Sequence, residues 1–258
     1  MKIIRKDMHE SGNLTAYEVI RIIGSRPLFL NEHLDRLQRS LFDIDKDCIL
    51  PVTLRGEFIA FVQKTGVVDG NIRIDAWFTE TTQYRFYQIP HHYPTDQEFC
   101  NGVSAVTLIA ERNNPESKIW NKELRSNANS LIESSGVWEV LLVNQKGNIT
   151  EGSRSNFFAI SGSTIVSAPK EQILGGITRK YVLEAIRSAD NVDYIEQDIP
   201  LHSIKNFDAA FITGTSIKVL PLKSIDGQYL NVNNLILSQI ISNFDHIMQR
   251  ELNRNYEM

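Results

Sequence analysis

The chain has 258 residues, 42% of them apolar and 22% charged. That balance excludes a disordered or fibrous polymer and allows one large domain or two modest ones. A formal net charge of −4 supplies no field that would draw the protein to nucleic acid or anionic lipid. The two cysteines, Cys48 and Cys100, fit no metal spacing and form no CxxC, so a reduced, cytoplasmic setting is expected. The opening MKIIRKDMHE lacks the apolar centre of a secretory signal, and no apolar run reaches the length of a membrane span.

In chain order, Leu14–Ile23 is rich in β-branched and aromatic residues and predicts a strand. A turn at Gly24–Pro27 and the apolar stretch Leu28–Leu30 follow. Asn31 is a candidate N-cap for a helix whose apolar stripe is Leu34, Leu37, Leu41 and Phe42. Asn71–Phe78 and Tyr84–Ile89 read as strands joined by the polar turn Glu80–Gln83. From Pro90 to Gly102 come prolines, paired histidines and polar residues without apolar periodicity, the signature of a linker.

Strand character resumes at Val103–Ala110. Asn121–Ser135 is helical in pattern and stops at Gly136. Trp138–Val143 and Asn148–Thr150 flank the turn Gln145-Lys146-Gly147, a hairpin. Strands follow at Asn156–Ile160 and Thr164–Val166. Thr178 is a candidate cap for a helix reaching about Ala189, then come short apolar runs at Ala209–Thr213 and Ile217–Leu222. An amphipathic helix over roughly Val232–Leu252 closes the chain. The expected class is α+β in two domains, residues 1–91 and 102–258, with 92–101 as the linker.

The common local motifs of nucleotide, zinc and serine-hydrolase sites (GxGxxG, GxxxxGK[ST], HExxH, GxSxG) are absent. His91 and His92 lie in the linker with no ligand partner at suitable spacing, so no metal is expected. Two small-residue clusters are more informative. Gly175-Gly176-Ile177-Thr178-Arg179 places glycines and a hydroxyl ahead of a helix, where exposed N–H groups and the helix dipole suit a phosphate. Thr213-Gly214-Thr215-Ser216 lies between apolar runs and can form an anion-binding nest. Each alone is more often a cap or a tight turn. Two together, without a Walker lysine, point to a phosphorylated cofactor other than a nucleotide.

The stretch KIWNKELRSNANSLIESSGVWEVLLVNQKGNITEGSRSNFF, from Lys118 to Phe158, resembles the core signature of the class IV aminotransferases. That signature runs from a cofactor-holding lysine and a following Asn through a helix and a Glu-Val-Leu-Leu strand to Thr-Glu-Gly-Ser. Ile173–Arg179, Phe211–Ser216, Leu220-Pro221 and Ile225–Gly227 resemble the later blocks. Ala16–Arg21 and Glu32–Leu37 resemble the N-terminal motifs.

The resemblance implies the two-domain fold-type IV architecture of D-amino acid aminotransferase-like enzymes, with pyridoxal 5′-phosphate held between the domains and a homodimer as the assembly. The implied reaction is amino-group exchange between an amino acid, branched-chain-like or D-configured, and a 2-oxo acid such as 2-oxoglutarate. The alternatives are a 4-amino-4-deoxychorismate lyase and a non-catalytic cofactor binder.

By the same resemblance, Lys118 holds the cofactor and moves the Cα proton, and Glu151 pairs with the pyridine nitrogen with Asn156 beside it. Arg36, Ile177, Thr178 and Thr215 hold the phosphate, while Tyr17, Arg85, Tyr87 and Ser216 face the substrate. Three departures blur the substrate: the start Gly12-Asn13-Leu14-Thr15, Glu123 where branched-chain enzymes carry a tyrosine, and Tyr87 where D-amino acid enzymes carry a histidine.

Overall fold

The computed structural model describes residues 14–254; Gly12 and Asn13 of the N-terminal motif lie outside the described residues. The first half is built on a four-stranded antiparallel sheet. Its elements are β1 (Thr15–Ile23), β2 (Arg26–Pro27), α1 (Leu30–Phe42), α2 (Leu54–Thr65), β3 (Gly70–Phe78) and β4 (Thr82–Ile89), with strand order β2-β1-β3-β4.

Strand periodicity sorts the side chains of this sheet. Ala16, Ile20, Ile22, Ile72, Ile74 and Ala76 point to one face and join Leu30, Leu37, Leu41, Phe58 and Val62 of α1 and α2 in a core. The odd-numbered residues turn the other way: Tyr17 is paired with Asp75, and Asp75 in turn with Arg85.

Helix α1 starts one residue before Asn31. Phe29 occupies the cap position with φ 54°, and Asn31 accepts from Arg55 instead. Phe29 packs flat on Tyr181, ring centroids 3.8 Å apart, so burial of an aromatic ring outweighs capping chemistry there. Helix α2 was not expected from the sequence, although Leu54, Phe58 and Val62 recur at helical spacing and Gly66 ends it in the left-handed region.

The expected linker contains α3 (Asp96–Asn101), opened by a capping box in which the Glu98 N–H donates to Thr95 Oγ1 while Glu98 Oε2 accepts from the Thr95 N–H. The second half comprises β5 (Val103–Ile109), α4 (Lys122–Ser135), β6 (Glu139–Val143), β7 (Asn148–Gly152), β8 (Asn156–Ser161), β9 (Thr164–Ser167) and α5 (Ile177–Arg187). After these come β10 (Asp193–Glu196), β11 (Ile199–Pro200), β12 (Ala209–Gly214), β13 (Lys218–Ile225), β14 (Gln228–Tyr229) and α6 (Leu235–Asn253).

Pairings β8–β12–β13–β5–β6–β7 return from β7 to β8 and close a barrel, with β5 parallel to both its neighbours. Val103, Leu141, Phe157, Ile212 and Leu220 belong to one buried cluster of this barrel, and α5 and α6 cover Phe158 and Phe211 on another.

Helix α4 follows the sequence reading, with the Asn121 side chain capping its start and Gly136 ending it at φ 62°. Thr178 does not cap α5: Gly176 holds that position without a side-chain bond, and Thr178 is buried one residue inside the helix. A strap joins the two halves. The Tyr17 amide donates to the Lys118 carbonyl (3.1 Å), the Trp120 amide to the Thr15 carbonyl (2.9 Å), and Ala16 bridges Ile119. Among the described residues no helix is long and apolar enough to cross a membrane.

Candidate active site

The strap delivers Lys118 between the two faces of β1. Its amide donates to Ser40 Oγ of α1 (3.0 Å), and its Nζ lies 3.4 Å from Glu18 Oε2 and 5.1 Å from the centre of the Tyr17 ring. The buried stripe of α1 carries His33, Arg36 and Ser40 beside Leu37 and Leu41, because residues three and four apart share a helix face. The helix therefore packs the core and lines the site at once.

Glu18, fully buried, is the centre of this group. Its carboxylate accepts from Arg36 Nε (2.6 Å) and Nη2 (2.7 Å), and Nδ1 of His33 stands 2.7 Å away. Burial raises the Glu18 pKa, but Arg36, Lys118 and His33 together hold it well below the usual carboxylate range. Burial and the Arg36 charge lower Lys118 to about 8, with Glu18 opposing.

Arg36 also donates through Nη1 to the Gly175 carbonyl (3.0 Å), which sets its guanidinium beside the start of α5, where no side chain caps the helix. Arg36, Ile177 and Thr178 are thus brought together. Thr215, in the turn after β12, makes no hydrogen bond to them. The neighbouring Ser216 accepts from Asn71 Nδ2 (2.7 Å), whose Oδ1 in turn accepts from Tyr93 (2.8 Å).

Glu151, on β7, is buried with its carboxylate between Arg112 Nε (2.7 Å), the Leu174 N–H (3.1 Å) and Asn156 Nδ2 (3.4 Å). Arg112 Nε meets Glu151 Oε1 as a buried ion pair, with the N–H angled away from the oxygen. Burial pushes the Glu151 pKa up, against the pull of Arg112 and the Leu174 amide. Asn156 holds the next loop by donating to the Leu174 carbonyl (2.8 Å), and any side chain at Gly176 would collide with its Oδ1.

Arg85 and Tyr87 do not face the site as free groups. Arg85 Nη2 (2.7 Å) and the Tyr87 hydroxyl (2.8 Å) both donate to Asp75 Oδ2, and Arg73 Nε donates to Asp75 Oδ1 (2.6 Å). The buried arginine that does approach the site is Arg73. Its guanidinium carbon lies 4.3 Å from the Tyr17 ring centre and 4.5 Å from that of Trp120, and its Nη2 is buried without a partner. Burial raises the Tyr17 pKa, but Arg125, Lys118, Arg112 and Arg73 bring it down to about 8.

Sequence reasoning assigned no role to Glu18 and His33, although both sit in the N-terminal motifs, and it missed Arg73, Asp75, Arg112 and Arg125. Period-2 alternation placed Tyr17, Arg73, Asp75, Arg85 and Tyr87 on one sheet face, the one signal from which that cluster was readable. Among the described residues no group of potential metal ligands is assembled.

A barrel with flanking helices is joined to a smaller sheet by a strap that sets Lys118 beside the buried Glu18. The model of the family "Amino-transferase class IV" matches residues 15–225: the chain belongs to the class IV aminotransferases. Among its relatives, a D-alanine aminotransferase of Bacillus licheniformis is 29% identical over 236 residues, covering 82% of this chain and 79% of that protein. A protein of Methanocaldococcus jannaschii, provisionally named a branched-chain-amino-acid aminotransferase, is 27% identical over 235 residues, covering 83% and 80%. A Legionella pneumophila structure, provisionally described as a 4-amino-4-deoxychorismate lyase, superposes with TM-score 0.81 at 18% identity, covering 97% of each chain. The fold is that of the fold-type IV enzymes.

Proposed function

We propose that this protein transfers an amino group between an amino acid and a 2-oxo acid such as 2-oxoglutarate, using pyridoxal 5′-phosphate held by Lys118, and that it works as a homodimer. The observation that carries the reading is Lys118, set by the strap beside Glu18 and the Tyr17 ring, in a fold that also buries the Glu151 carboxylate among Arg112, Asn156 and the Leu174 amide. When bound, the cofactor acts as an electron sink that stabilises negative charge at the substrate Cα.

The residues present fit that group. Glu151 Oε1 can accept the N–H of a protonated ring nitrogen, and Asn156 and the Leu174 amide fix its carboxylate. Arg36 and the first turn of α5, with Thr178, suit a phosphate dianion through a planar donor fork and a positive helix end. Thr215 completes that cradle in this reading.

A neutral amine on Lys118 can take up the Cα proton and return it on the neighbouring carbon. Burial and the Arg36 charge bring its pKa near the working range, where proton transfer is most effective. Glu18 keeps the lysine close to β1 while it also pairs with Arg36. Tyr17 bounds the pocket on the far side. For the substrate carboxylate, Arg73 replaces Arg85: Asp75 holds Arg85 and Tyr87, whereas Arg73 keeps a free buried donor against Tyr17.

The test is an absorption spectrum of the purified protein with pyridoxal phosphate, for wild type and Lys118→Ala, followed by borohydride and a panel of L- and D-amino acids. The expected result is a visible band that borohydride fixes onto Lys118, that amino acids bleach and that 2-oxo acids restore. A band absent from wild type, or unchanged in Lys118→Ala, overturns the reading. Bleaching that no 2-oxo acid reverses, with release of an unsaturated product, favours elimination instead.

A further inference from the structure

Helix α1 touches the Lys118 segment at two points, and both contacts reach across the join between the two halves of the chain. Ser40 Oγ accepts from the Lys118 amide (3.0 Å), and Asp43 Oδ2 accepts from Ser117 Oγ. Ser40 and Ser117 are buried, whereas Asp43 is exposed. The Ser117 amide donates to the Asn114 carbonyl (3.1 Å), so the strap enters from a tight turn.

Neither residue is explained by the helix that carries it. Serine is a weaker helix former than alanine, and a buried hydroxyl is costly unless it is hydrogen-bonded. Asp43 follows the last turn of α1, where its amide donates to the Arg39 and Leu41 carbonyls. A carboxylate there faces the negative end of the helix dipole, which disfavours it. In each case a bond to the strap offsets the cost.

The same helix carries Arg36 one turn before Ser40, on the same buried stripe and about 6 Å away along the axis. On the far side of the strap, the Tyr17 amide donates to the Lys118 carbonyl (3.1 Å). Lys118 is thus held through its N–H by α1 and through its C=O by β1. Its amine lies among Glu18 and Tyr17 of β1 and Arg36 and His33 of α1.

We propose that Ser40 and Asp43 are positioning residues, which together pin the strap to α1 and so set the distance between the Lys118 amine and the Arg36 guanidinium. Its consequence for catalysis rests on the transferase reading, in which Lys118 and Arg36 hold two ends of one cofactor. The geometry itself belongs to the cofactor-free chain. Removing either pin leaves a strap N–H or hydroxyl without its partner, and water restores that bond only if the strap shifts outward.

The first measurement is competitive labelling of the cofactor-free, full-length chain with acetic anhydride across pH. Each lysine is read by mass spectrometry, with the others as internal standard. Wild-type Lys118 should label with a midpoint near 8. In Ser40→Ala and Asp43→Ala the amine leaves Arg36 for water, and the midpoint should rise by at least about one pH unit towards the ordinary lysine value of about 10.4. Asp43→Asn keeps an accepting oxygen and should label like wild type. An ordinary midpoint already in wild type, no rise in a folded alanine variant, or an equal rise in Asp43→Asn overturns the proposal. Asp43 is exposed, so its variants report even if Ser40→Ala does not fold.

The second measurement uses the chain loaded with pyridoxal phosphate. In both alanine variants the half-reaction rate at saturating amino acid should fall by about 10- to 100-fold, the scale of an ångström-sized misplacement. The amino acid concentration giving half that rate should stay unchanged. A loss confined to that concentration overturns the positioning role. If no amino acid bleaches wild type while the labelling midpoint still depends on Asp43, the transferase reading falls and the positioning of Lys118 stands.

Discussion

Glu18 and Glu151 are buried glutamates on strands of the same site, yet their titrations move in opposite directions. Glu18 collects two bonds from Arg36 and stands beside Lys118 and His33 Nδ1, so the Arg36 charge above all, helped by Lys118, overcomes desolvation and keeps it ionised. Glu151 has one arginine, approaching out of line, and one amide, so desolvation wins and its pKa rises. The difference teaches that residue type and burial do not set a carboxylate's role; the number of aligned donors does. Glu18 is a fixed charge that organises Arg36 and Lys118. Glu151 is a buried carboxylate held by a single cation and one backbone amide.

The most severe break in this arrangement is Lys118→Ala, which removes the amine beside Glu18. The rate of amino transfer is expected to fall by about 10⁴-fold, the upper range for loss of a positioned proton carrier, in stopped-flow half-reactions. Next comes Glu18→Gln. It orphans Arg36 and His33 in the interior, so the unfolding free energy of the cofactor-free protein should drop by about 3–5 kcal/mol in urea titration. A loss below about 1 kcal/mol would mean that the group round Glu18 is not the structural charge described.

Glu151→Gln should do the reverse. Stability of the cofactor-free protein changes less than in Glu18→Gln, because one cation instead of several groups loses its partner, while half-reaction rates fall by about 100-fold with KM little altered. Equal stability losses in the two variants would erase the contrast.

The smallest effects are in pH dependence. The depressed Glu18 contributes stability that is complete above the unfolded carboxylate value of about 4.3 and is lost as pH falls through its lower folded value. Glu18→Gln should therefore flatten the acid limb of a stability-versus-pH curve. Glu151, being raised, contributes with opposite sign, since protonation on acidification relieves its burial. Lys118, lowered to about 8, should capture cofactor about tenfold faster per pH unit until that value and then level off.

Much of the candidate site could be proposed from the sequence because its groups are tied to ordered motifs. Lys118, Glu151, Asn156 and the Gly175–Arg179 turn lie within one stretch of chain, and chemistry demands those residue types. What stayed hidden was made by contacts between distant segments. Arg112 meets Glu151, and Asp75 takes Arg85 and Tyr87, through pairings that no local pattern records.

The caps show the same limit. Asn31 and Thr178 have good capping chemistry, but Phe29 stacking on Tyr181 and the glycine at position 176 set the helix starts elsewhere. Helix α3 was the reverse case: its Thr95-x-x-Glu98 box was present in the sequence but masked by the surrounding prolines and histidines. Closure of the barrel, with β5 parallel to both neighbours, is a property of pairing order and has no sequence period.

The strap that carries Lys118 has a second consequence. Near Thr15–Tyr17, β1 has β3 on one side, while β2 reaches only Ile22 and Ile23 on the other. Its remaining backbone groups would form an open strand edge, a template for pairing with another chain. The Lys118 carbonyl and the Trp120 amide occupy that edge. The segment that carries Lys118 therefore doubles as a guard against aggregation, and any mutation that loosens it also uncovers a strand for association.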